Sequence, residues 1–423
     1  MHPKPRLSAK NICVNSLQQS ILYAASASPF YRQHFRDLSL ETMQFPADLP
    51  RLPFTTKTDL SGENRRFLCV ENRQVADWVS TSGTLGDPVW YALSEKDLDR
   101  LAQNEAGSFQ LAGIQPEDTI LITTTLDRRF MAGLAYFLGA RRLGAAVIRS
   151  GPGIPELQWD SIRQMEPTVI IAVPSFLLKM AEFAEKNGID IRKASLRKAI
   201  CIGEPIRNID LSPNELALRI AEKWPGLHLY STYASTEMST AFTECEAGLG
   251  AHQQDTLLYS EFLDEHDRPV AEGEPGELVF TSIGVEAMPL VRFRTGDLVR
   301  HYTGLCACGR SSLRIGPVEG RKQQMIKYRG TTLYPPALIG VLNESENIET
   351  FQVHVSSSAA GTDELHIWVA LRSGGEEELN ELRNRFRARI RVAPQIIEKT
   401  AEEIEKSRWP AKSRKPLLFI DHR

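Results

Sequence analysis

One stretch of this chain, Thr81-Ser82-Gly83-Thr84-Leu85-Gly86-Asp87-Pro88, indicates how the rest is folded. It follows the apolar pair Trp78-Val79 and precedes an alternating run that begins at Val89, so we expect two strands joined by a tight loop. Glycines let a backbone approach a ligand closely, and successive N–H groups with hydroxyls can cradle phosphate oxygens. The alternative is an ordinary polar hairpin turn. The pattern of the P-loop NTPases is excluded, because no lysine follows Gly86.

The same string resembles the phosphate loop of the adenylate-forming superfamily, which includes acyl-CoA synthetases, luciferases and the adenylation domains of peptide synthetases. The resemblance implies a nucleotide site in which this loop contacts the phosphates of ATP. The loop residues that it assigns to ATP or AMP are Thr81, Ser82, Gly83, Thr84 and Gly86.

Size and composition limit the class of protein. A chain of 423 residues is longer than one hydrophobic core normally serves, so we expect two or three domains. A net charge of -3 gives no reason to expect nucleic acid or a membrane surface as a partner. Six cysteines in so long a chain do not make a disulfide scaffold, and the first residues lack a secretory signal pattern. We therefore expect a cytoplasmic protein with reduced thiols.

Helical and strand patterns alternate along the first half of the chain, which predicts a parallel sheet with helices on both faces. A helix over residues 11–35 is interrupted at Ser28-Pro29, and Ser94 with Asp97 forms a capping-box pattern at the start of a helix over residues 94–112. Further strands and helices are expected at Thr119–Thr124, Phe130–Leu143, Ala145–Arg149, Val169–Val173, Phe176–Asn187 and Leu196–Ile202.

The second half of the chain shows a different pattern of predicted strands and helices. Residues 255–300 indicate an all-β region, and from Gly330 onward a hairpin and a charged helix suggest a small α+β unit. The predicted fold class is α/β: a large N-terminal domain, residues 1–320, with parallel sheets flanked by helices plus a β subdomain, and a small C-terminal α+β lid domain, residues 321–423. The strands and the helix expected here are Leu257–Leu263, Glu277–Ser282, Leu290–Arg294, Thr350–Val355, Leu365–Leu371, Glu376–Ile390 and Gln395–Thr400.

Two early segments narrow the resemblance to one branch. The segments Ser28–Arg32 and Leu52–Lys57 resemble the opening of phenylacetate-CoA ligases, a compact branch of the adenylate-forming enzymes. We expect the residues of these two segments to serve packing.

Two turns after predicted strands carry the adenine and magnesium assignments. The turn Gly203-Glu204-Pro205 resembles the family's adenine-pocket turn, and it follows a buried strand, where ligands bind in open α/β sheets. The run from Tyr233 to Glu237 resembles the family's aromatic-x-x-Thr-Glu motif. It implies that the ring of Tyr233 stacks on adenine, that Ala234, Ser235 and Thr236 contact the nucleotide, that Thr236 is also catalytic, and that Glu237 is a catalytic carboxylate that holds magnesium.

Later motifs imply the ribose, hinge and catalytic residues. Arg292-Phe293-Arg294-Thr295-Gly296-Asp297 resembles a block in which the aspartate accepts hydrogen bonds from both ribose hydroxyls, which assigns that role to Asp297. In the hinge-like block after Gly320, Arg321 is the candidate nucleotide contact, and Gln323 stands where the family usually has Asp or Lys. The C-terminal element implies Lys415 as the catalytic lysine, with Lys412 as the alternative.

Four residues suggest a metal site in the β region, at about residues 240–312. Three thiols and one imidazole are a tetrahedral zinc set, and certain relatives of the branch carry the same placements. Ordinary buried or free thiols are the alternative. The four residues are Cys245, His252, Cys306 and Cys308.

The resemblance implies a two-step ligase. A small-molecule carboxylic acid, aryl- or arylacetic-type, attacks the α-phosphate of ATP with magnesium present, and coenzyme A then takes the acyl group. The alternatives are an adenylating enzyme with a different acceptor and a non-catalytic nucleotide-binding relative. We also expect a homodimer to be possible, and Arg128-Arg129 suggests a substrate or acceptor with extra negative charge; two exposed arginines without that role are the alternative.

Overall fold

The computed structural model describes residues 9–81, 89–328, 331–357, 363–410 and 416–423. The described chain forms two compact units. The first unit comprises the described residues of Met1–Ser212, Ala217–Thr295 and Val299–Pro317, and the second those of Pro213–Leu216, Gly296–Leu298 and Val318–Arg423. The boundary expected at residue 320 stays a prediction.

A local signal marks the start of the long helix α4. Helix α4 begins after Ser94, whose hydroxyl accepts from the Asp97 N–H while the Asp97 carboxylate accepts from the Ser94 N–H, so the predicted capping box is confirmed. The helices up to residue 223 are α1 Ala9–Ala27, α2 Pro29–His34, α3 Lys57–Gly62, α4 Glu95–Leu111, α5 Met131–Leu143, α6 Pro155–Met165, α7 Pro174–Lys186 and α8 Glu215–Lys223. Short 3₁₀ turns occur at Leu40–Thr42, Leu49–Arg51, Asn64–Phe67, Asn72–Gln74 and Ile191–Lys193.

The strands up to residue 315 form a hairpin and a mixed sheet. They are β1 Val75–Ser80, β2 Trp90–Ser94, β3 Thr119–Ile122, β4 Ala146–Arg149, β5 Val169–Ala172, β6 Lys198–Cys201, β7 His228–Ser235, β8 Thr240–Glu244, β9 Ala251–His252, β10 Leu258–Leu263, β11 Pro275–Ser282, β12 Phe293–Tyr302 and β13 Arg314–Ile315. Strands β1 and β2 pair antiparallel, which confirms the two strands expected on either side of residues 81–88.

The large sheet has a parallel half and an antiparallel half. Its order is β10-β11-β12-β13-β9-β8-β7-β6-β5-β3-β4. Strands β4, β3, β5, β6 and β7 pair in parallel, as predicted, and the pairs from β7 through β8, β9 and β13 to β12 are antiparallel. The central parallel strands β3, β5 and β6 are apolar and largely buried, as expected where both faces of a sheet are covered. Buried side chains from this half, with those of α4 and α5, form one core: Phe109, Ile114, Ile120, Ile122, Tyr136, Val169, Ile171 and Ile200.

The strand expected at Leu290–Arg294 is wrong in its placement. Strand β12 begins at Phe293 and runs to Tyr302. The residue before it, Arg292, has a φ of 45°, a left-handed backbone that cannot continue a strand. Its side chain explains why: the guanidinium is buried and binds the Glu261 carboxylate and the Leu52 carbonyl, so the backbone turns to bring it inward.

The N-terminal segments pack, as predicted. The ring of Phe30 stacks on that of Phe67 with centroids 4.0 Å apart, and the Tyr31 hydroxyl lies 3.0 Å from that of Thr55. Phe54 receives two guanidinium groups, with Arg292 at 4.1 Å and Arg294 at 4.4 Å from its ring centroid. The arginines of the Arg-Phe-Arg block therefore hold the entry segment against the β region.

The second unit is built on a four-stranded sheet of order β19-β18-β17-β20. Its buried side chains, including Val353, Ile367 and Phe386, form a core of their own. The elements of this part of the chain are β14 Gly320–Arg321, a 3₁₀ turn Lys322–Gln324, β15 Ile326–Tyr328, β16 Thr331–Leu333, α9 Pro335–Asn343, β17 Ile348–Ser357, β18 Asp363–Leu371, α10 Glu376–Ile390, β19 Gln395–Glu398, α11 Ala401–Arg408 and β20 Phe419–Asp421. The predicted hairpin and charged helix are confirmed, whereas α11 was not expected.

No helix among the described residues is both long and apolar enough to cross a bilayer.

One buried carboxyl group lies between α4 and α5. Glu105 is 6% exposed, and the Asn104 amide donates a hydrogen bond to its carboxyl group. Burial raises the pKa of Glu105 from 4.5 to about 8. Because the folded pKa lies above the unfolded one, unfolding releases a proton between these pH values, and stability falls as pH rises through this window.

We predict that Glu105→Gln stabilises the protein at pH 8 and not at pH 5. The amide keeps the shape and the acceptor oxygen but has no charge to bury, so the gain at pH 8 should be on the order of a few kcal/mol. The measurement is Tm at both pH values for wild type and variant. An equal Tm difference at pH 5 and pH 8 would mean that Glu105 does not titrate in this window.

Candidate active site

The loop that follows β1 is closed at its base by two hydrogen bonds. The Thr81 N–H donates to the Val89 carbonyl at 3.0 Å, and the Thr81 hydroxyl accepts from the Val89 N–H at 3.0 Å. This pairing holds the two ends of the loop together beside the β1–β2 ladder. The predicted phosphate contacts Ser82, Gly83, Thr84 and Gly86 lie outside the described residues, and with Thr81 they stay predictions.

The predicted adenine-pocket turn lies at the carboxyl end of the parallel sheet. Gly203 follows β6 with a φ of 77°, a conformation that suits glycine. The Glu204 carboxylate accepts from the N–H and the hydroxyl of Ser175, both at 2.9 Å, and Ser175 follows β5. Glu204 thus ties together two neighbouring strand ends, and Pro205 continues the turn. The assignment of Gly203, Glu204 and Pro205 to nucleotide binding stays a prediction.

The next strand along the sheet carries the aromatic-x-x-Thr-Glu run. Tyr233 and Ala234 are paired with Phe242 and Ala241 of β8, and the strand ends at Ser235. A tight turn follows: the Ser239 N–H donates to the Ser235 carbonyl at 3.2 Å, and the Ser239 hydroxyl donates to the Thr236 carbonyl at 3.1 Å. Glu237 is carried on this turn.

A lysine that sequence reasoning assigned to packing lies beside Glu237. The Nζ atom of Lys57 is 3.8 Å from the Glu237 Oε1 atom, with side-chain exposures of 35% and 11%. Lys57 begins α3, whose capping box is formed by Thr56 and Asp59. Lys57 and Glu237 are 180 residues apart in the sequence, so no local sequence pattern could have predicted their contact. A buried carboxylate beside a lysine is an arrangement that can hold a metal ion and phosphate oxygens.

Asp297 and Arg321, the residues predicted to contact the ribose and the nucleotide, bind each other in the second unit. Asp297 and Arg321 are register partners across β12 and β14, and the Arg321 Nε atom donates to Asp297 at 2.9 Å. Asp297 is buried, whereas the side chain of Arg321 is 46% exposed. The roles assigned to both residues stay predictions.

A glycine permits the close approach of an aromatic ring beside this pair. A Cβ atom at Gly320 would lie 2.3 Å from the Cγ atom of Tyr334 and 2.7 Å from its Cβ atom. These atoms are near the backbone and cannot swing aside. Gly320 is therefore required for Tyr334 to cover the start of β14.

The catalytic lysine expected from the motif, Lys415, and its alternative Lys412 lie outside the described residues. The chain after them forms β20, which pairs in parallel with β17. Arg423 donates to both oxygens of Asp421, to Asp363 and to the Met325 carbonyl. The hydrogen bond from Arg423 lowers the pKa of Asp421. The hinge-like position Gln323 lies in the 3₁₀ turn just before Met325.

The four predicted metal ligands come together in the first unit. Their ligand atoms all lie within 4.8 Å of one another: Cys245, His252, Cys306 and Cys308. The Sγ atoms of Cys245 and Cys306 are 3.8 Å apart, and the Cys308 Sγ atom is 3.5 Å from the His252 Nε2 atom. The other ring nitrogen of His252 lies 2.8 Å from the Ser312 hydroxyl, which orients the ring.

Burial and hydrogen bonds give these groups different acidities. Burial lowers the pKa of His252 to about 4, so its ring is neutral at pH 7. Burial raises the pKa of Cys245 to about 12. Burial also acts to raise the pKa of Cys308, but hydrogen bonds from Arg310 and from the neighbouring thiols outweigh it and lower that pKa to about 7. Without a metal the cluster would hold thiols of unequal acidity around a neutral imidazole.

The two consecutive arginines after β3 are exposed. Arg128 and Arg129 both have positive φ angles, 55° and 62°, and Arg129 accepts at its carbonyl from the Ser80 N–H. The Arg129 guanidinium lies 4.8 Å from the ring centroid of Trp90. The backbone of this segment is thus tied to β1, while the idea that it selects charged substrates stays a hypothesis.

Comparison with known proteins gives consistent matches. A family model described as AMP-binding enzyme matches residues 42–287. Phenylacetate-coenzyme A ligase of Thermus thermophilus is 32% identical over 345 residues, which cover 80% of this chain and 76% of that protein. The enzyme of the same name from Pseudomonas putida is 30% identical over 397 residues, which cover 90% of this chain and 88% of that protein.

Solved structures show the same fold. The crystal structure of 2-hydroxyisobutyryl-CoA ligase in the postadenylation state, in complex with 2-HIB-AMP, matches with a TM-score of 0.85 at 23% identity. The match covers 100% of this chain and 94% of that one. The predicted α/β fold class is confirmed.

We predict that Gly320→Ala weakens ATP binding and lowers Tm. The added methyl group collides with Tyr334 and must displace either the ring or β14, where Arg321 lies, at a cost of about 1–3 kcal/mol. Thermal unfolding and ATP titration by calorimetry measure the two effects. Gly340→Ala is the matched control, because nothing lies within 4 Å of a Cβ there. Indistinguishable behaviour of the two variants would contradict the role given to Gly320.

Proposed function

The chain belongs to the family of AMP-binding enzymes, the adenylate-forming superfamily, and we propose that it joins an aryl- or arylacetic-type carboxylic acid to coenzyme A. Within this family it is an AMP-forming acid–CoA ligase, which adenylates its acid with ATP and transfers the acyl group to coenzyme A. The choice of acid is supported by the two relatives described above, which are both named for phenylacetate.

The observation that carries the proposed site is the turn after β7. It presents the buried Glu237 carboxylate beside Lys57, one strand away from the Gly203–Pro205 turn. Parallel strands bring these turns to one edge of the sheet, where a nucleotide binds in open α/β folds. We assign Tyr233 to adenine, and Thr236 and Glu237 to the phosphates.

The proposed reaction proceeds in two displacements. In the first, a carboxylate oxygen of the acid attacks the α-phosphorus of ATP, and the bond to pyrophosphate breaks. In the second, the thiol of coenzyme A attacks the acyl carbon, loses its proton, and AMP leaves. Lys415 is assigned to the first displacement, where its charge offsets the negative charge between the two reacting groups.

Magnesium fits the residues of the proposed site. Mg²⁺ is usually held by one or two carboxylates together with substrate phosphates and water. Glu237 provides one buried carboxylate, and Lys57 beside it can balance charge on the phosphates. When bound, the ion would neutralise charge on the pyrophosphate as it departs. In this proposal Glu237 holds and orients the ion through its fixed turn.

The two-unit organisation suggests how the steps are separated. We assign ATP and acid binding to a domain of residues 1–320 and the lid to residues 321–423, with Asp297 and Arg321 contacting the ribose side of the nucleotide. Rotation about Gln323 would bring Lys415 in for the first displacement and remove it for the second. The cytoplasmic location and the possible homodimer remain predictions from the sequence.

The activity is tested with a panel of carboxylic acids, ATP, magnesium and coenzyme A, in wild type and Lys415→Ala. We expect arylacetates to be converted at least about tenfold faster than acetate, since aromatic burial adds binding energy. Lys415→Ala should slow acyl-AMP formation by a factor on the order of 100, the scale for one oriented group acting on a transition state. Its thioester formation from supplied acyl-AMP should survive.

Each outcome of the panel discriminates among functions. Pyrophosphate exchange without thioester formation would mean a different acceptor, and no exchange with any acid would leave a nucleotide-binding protein. Preference for dicarboxylates or phosphorylated acids, lost in Arg128→Ala, would replace the arylacetate proposal. Equal losses in both half-reactions would mean that Lys415 is structural or that Lys412 is the catalytic lysine.

We further propose that Cys245, His252, Cys306 and Cys308 hold a structural zinc ion. A Zn–S bond of about 2.3 Å in a tetrahedron places two sulfur atoms about 3.8 Å apart, and Cys245 and Cys306 have this separation. Three thiols and one imidazole fill all four positions, which leaves none open for chemistry. The ion would therefore support the β region and take no part in the reaction.

The zinc proposal predicts about one zinc ion per chain after dialysis. Cys308→Ser should lose the metal and lower Tm more than it lowers turnover at low temperature, because the site holds structure only. Elemental analysis and thermal unfolding measure both effects. Cys69→Ser is the control, since this thiol lies outside the cluster. Zinc absent from wild type, or unchanged in Cys308→Ser, would return the four residues to ordinary thiols and an imidazole.

A further inference from the structure

A buried arginine binds the end of the turn that carries Glu237. Arg100 is on α4 and is 6% exposed. Its Nε atom donates to the Ile283 carbonyl at 2.8 Å, and one terminal nitrogen donates to the Ser239 carbonyl at 2.6 Å. The other terminal nitrogen donates to the Thr240 hydroxyl at 2.9 Å and to the Leu257 carbonyl. Among the described residues, the hydrogen-bond acceptors of this guanidinium are neutral oxygens, and the Asp97 carboxylate, one turn earlier on α4, acts on it through its charge.

This arrangement is costly for a residue whose only task is packing. A buried charge loses its hydration, and burial lowers the pKa of Arg100 to about 10, which still leaves it charged at pH 7. The direct acceptors carry no charge, and the Asp97 carboxylate compensates for burial only in part, since the pKa of Arg100 stays below its ordinary value. What a rigid fork with five donors supplies is geometry, because it fixes several acceptors from different segments at once.

Two acceptors of Arg100, on Ser239 and Thr240, lie at the end of the turn that holds Glu237. Ser239 is the last residue of this turn and has a φ of 49°, an uncommon conformation for a residue with a side chain. Its N–H and hydroxyl already bind the Ser235 and Thr236 carbonyls. Arg100 takes its remaining carbonyl, so all the polar groups of Ser239 are fixed.

Helix α4 begins directly after β2, the strand that follows residues 81–88 in the sequence. Asp97 in the first turn of α4 accepts from the Glu286 and Ala287 N–H groups. Arg100 lies one turn further along. Helix α4 therefore links β2, through the contacts of Asp97 and Arg100, to the Glu286–Ala287 backbone and to the turn of Glu237.

We propose that Arg100 is a positioning residue that sets the Glu237 carboxylate for the magnesium–ATP complex by fixing the Ser239 end of its turn. Arg100 contacts no reacting group itself; it acts through the Ser239 carbonyl. The inference rests on the proposed function, because it assumes that Glu237 holds the ion.

The test measures magnesium dependence in Arg100→Lys. Lysine keeps the charge, but its donors all lie on one nitrogen and cannot span the four acceptors that the guanidinium fork reaches, so Glu237 should lose its fixed position. At fixed ATP, we expect the magnesium concentration that gives half of the ATP-induced rise in Tm to increase about tenfold, the scale of one hydrogen bond to a charged group. The magnesium concentration for half-maximal pyrophosphate exchange should increase equally, and thioester formation from supplied acyl-AMP should change little.

Two further variants separate positioning from general stability. Thr240→Val removes a single acceptor at nearly constant shape and should shift the same magnesium constant by about two- to threefold, even if Arg100→Lys fails to fold. Arg292→Lys is the control for the loss of a buried guanidinium, since Arg292 also joins separate segments, through the Pro50 and Leu52 carbonyls and the Glu261 carboxylate. It should lower Tm and leave the magnesium constant unchanged.

The outcomes are distinct from those of the proposed function. Wild-type protein without pyrophosphate exchange for any acid would remove the function itself. Active wild type, with the magnesium constants of Arg100→Lys and Thr240→Val no higher than that of Arg292→Lys, would overturn the inference and leave the function standing. A shift in both variants that is absent from Arg292→Lys would support the role of Arg100.

Discussion

Parallel pairing of β5, β6 and β7 is the constraint on which the rest of the site depends. Parallel strands end at one edge of a sheet, so Ser175, the Gly203–Pro205 turn and the turn of Glu237 all emerge there. All four side chains of β5 are buried, so packing against both faces of the sheet holds this strand in place. The polar turns can therefore differ widely in sequence while keeping their places.

Arginine side chains also hold together segments that are distant in the sequence. Arg292 and Arg294 enclose Phe54 of the entry segment, Arg100 collects carbonyls from three segments, and Arg423 joins Asp421 to Asp363 and Met325. In each case the planar fork satisfies several acceptors that would otherwise be buried without partners. Within each unit, these contacts therefore hold together loops that are distant in the sequence.

Local patterns sufficed wherever the controlling contacts were local. The two strands on either side of residues 81–88, the capping box at Ser94 and the helix Glu376–Ile390 could be read from spacing alone. The start of β12 could not, because the left-handed backbone of Arg292 depends on Glu261 and Leu52, which lie far away in sequence. Lys57 was missed for the same reason, since only the folded chain brings it to Glu237.

The pairing of β9 with β13 has a consequence for how this region can vary. Arg314 pairs directly with His252, so the chain between them, which forms β10, β11 and β12 of the same sheet, begins and ends at two paired residues. This segment is closed at its base by the pairing of β9 with β13. Since loop-closure entropy grows only slowly with length, exposed turns within it, such as the one at Asp264–Arg268, can accept inserted residues at small cost. The region is suited to acquire new surface by insertion while the turns at the sheet edge keep their geometry.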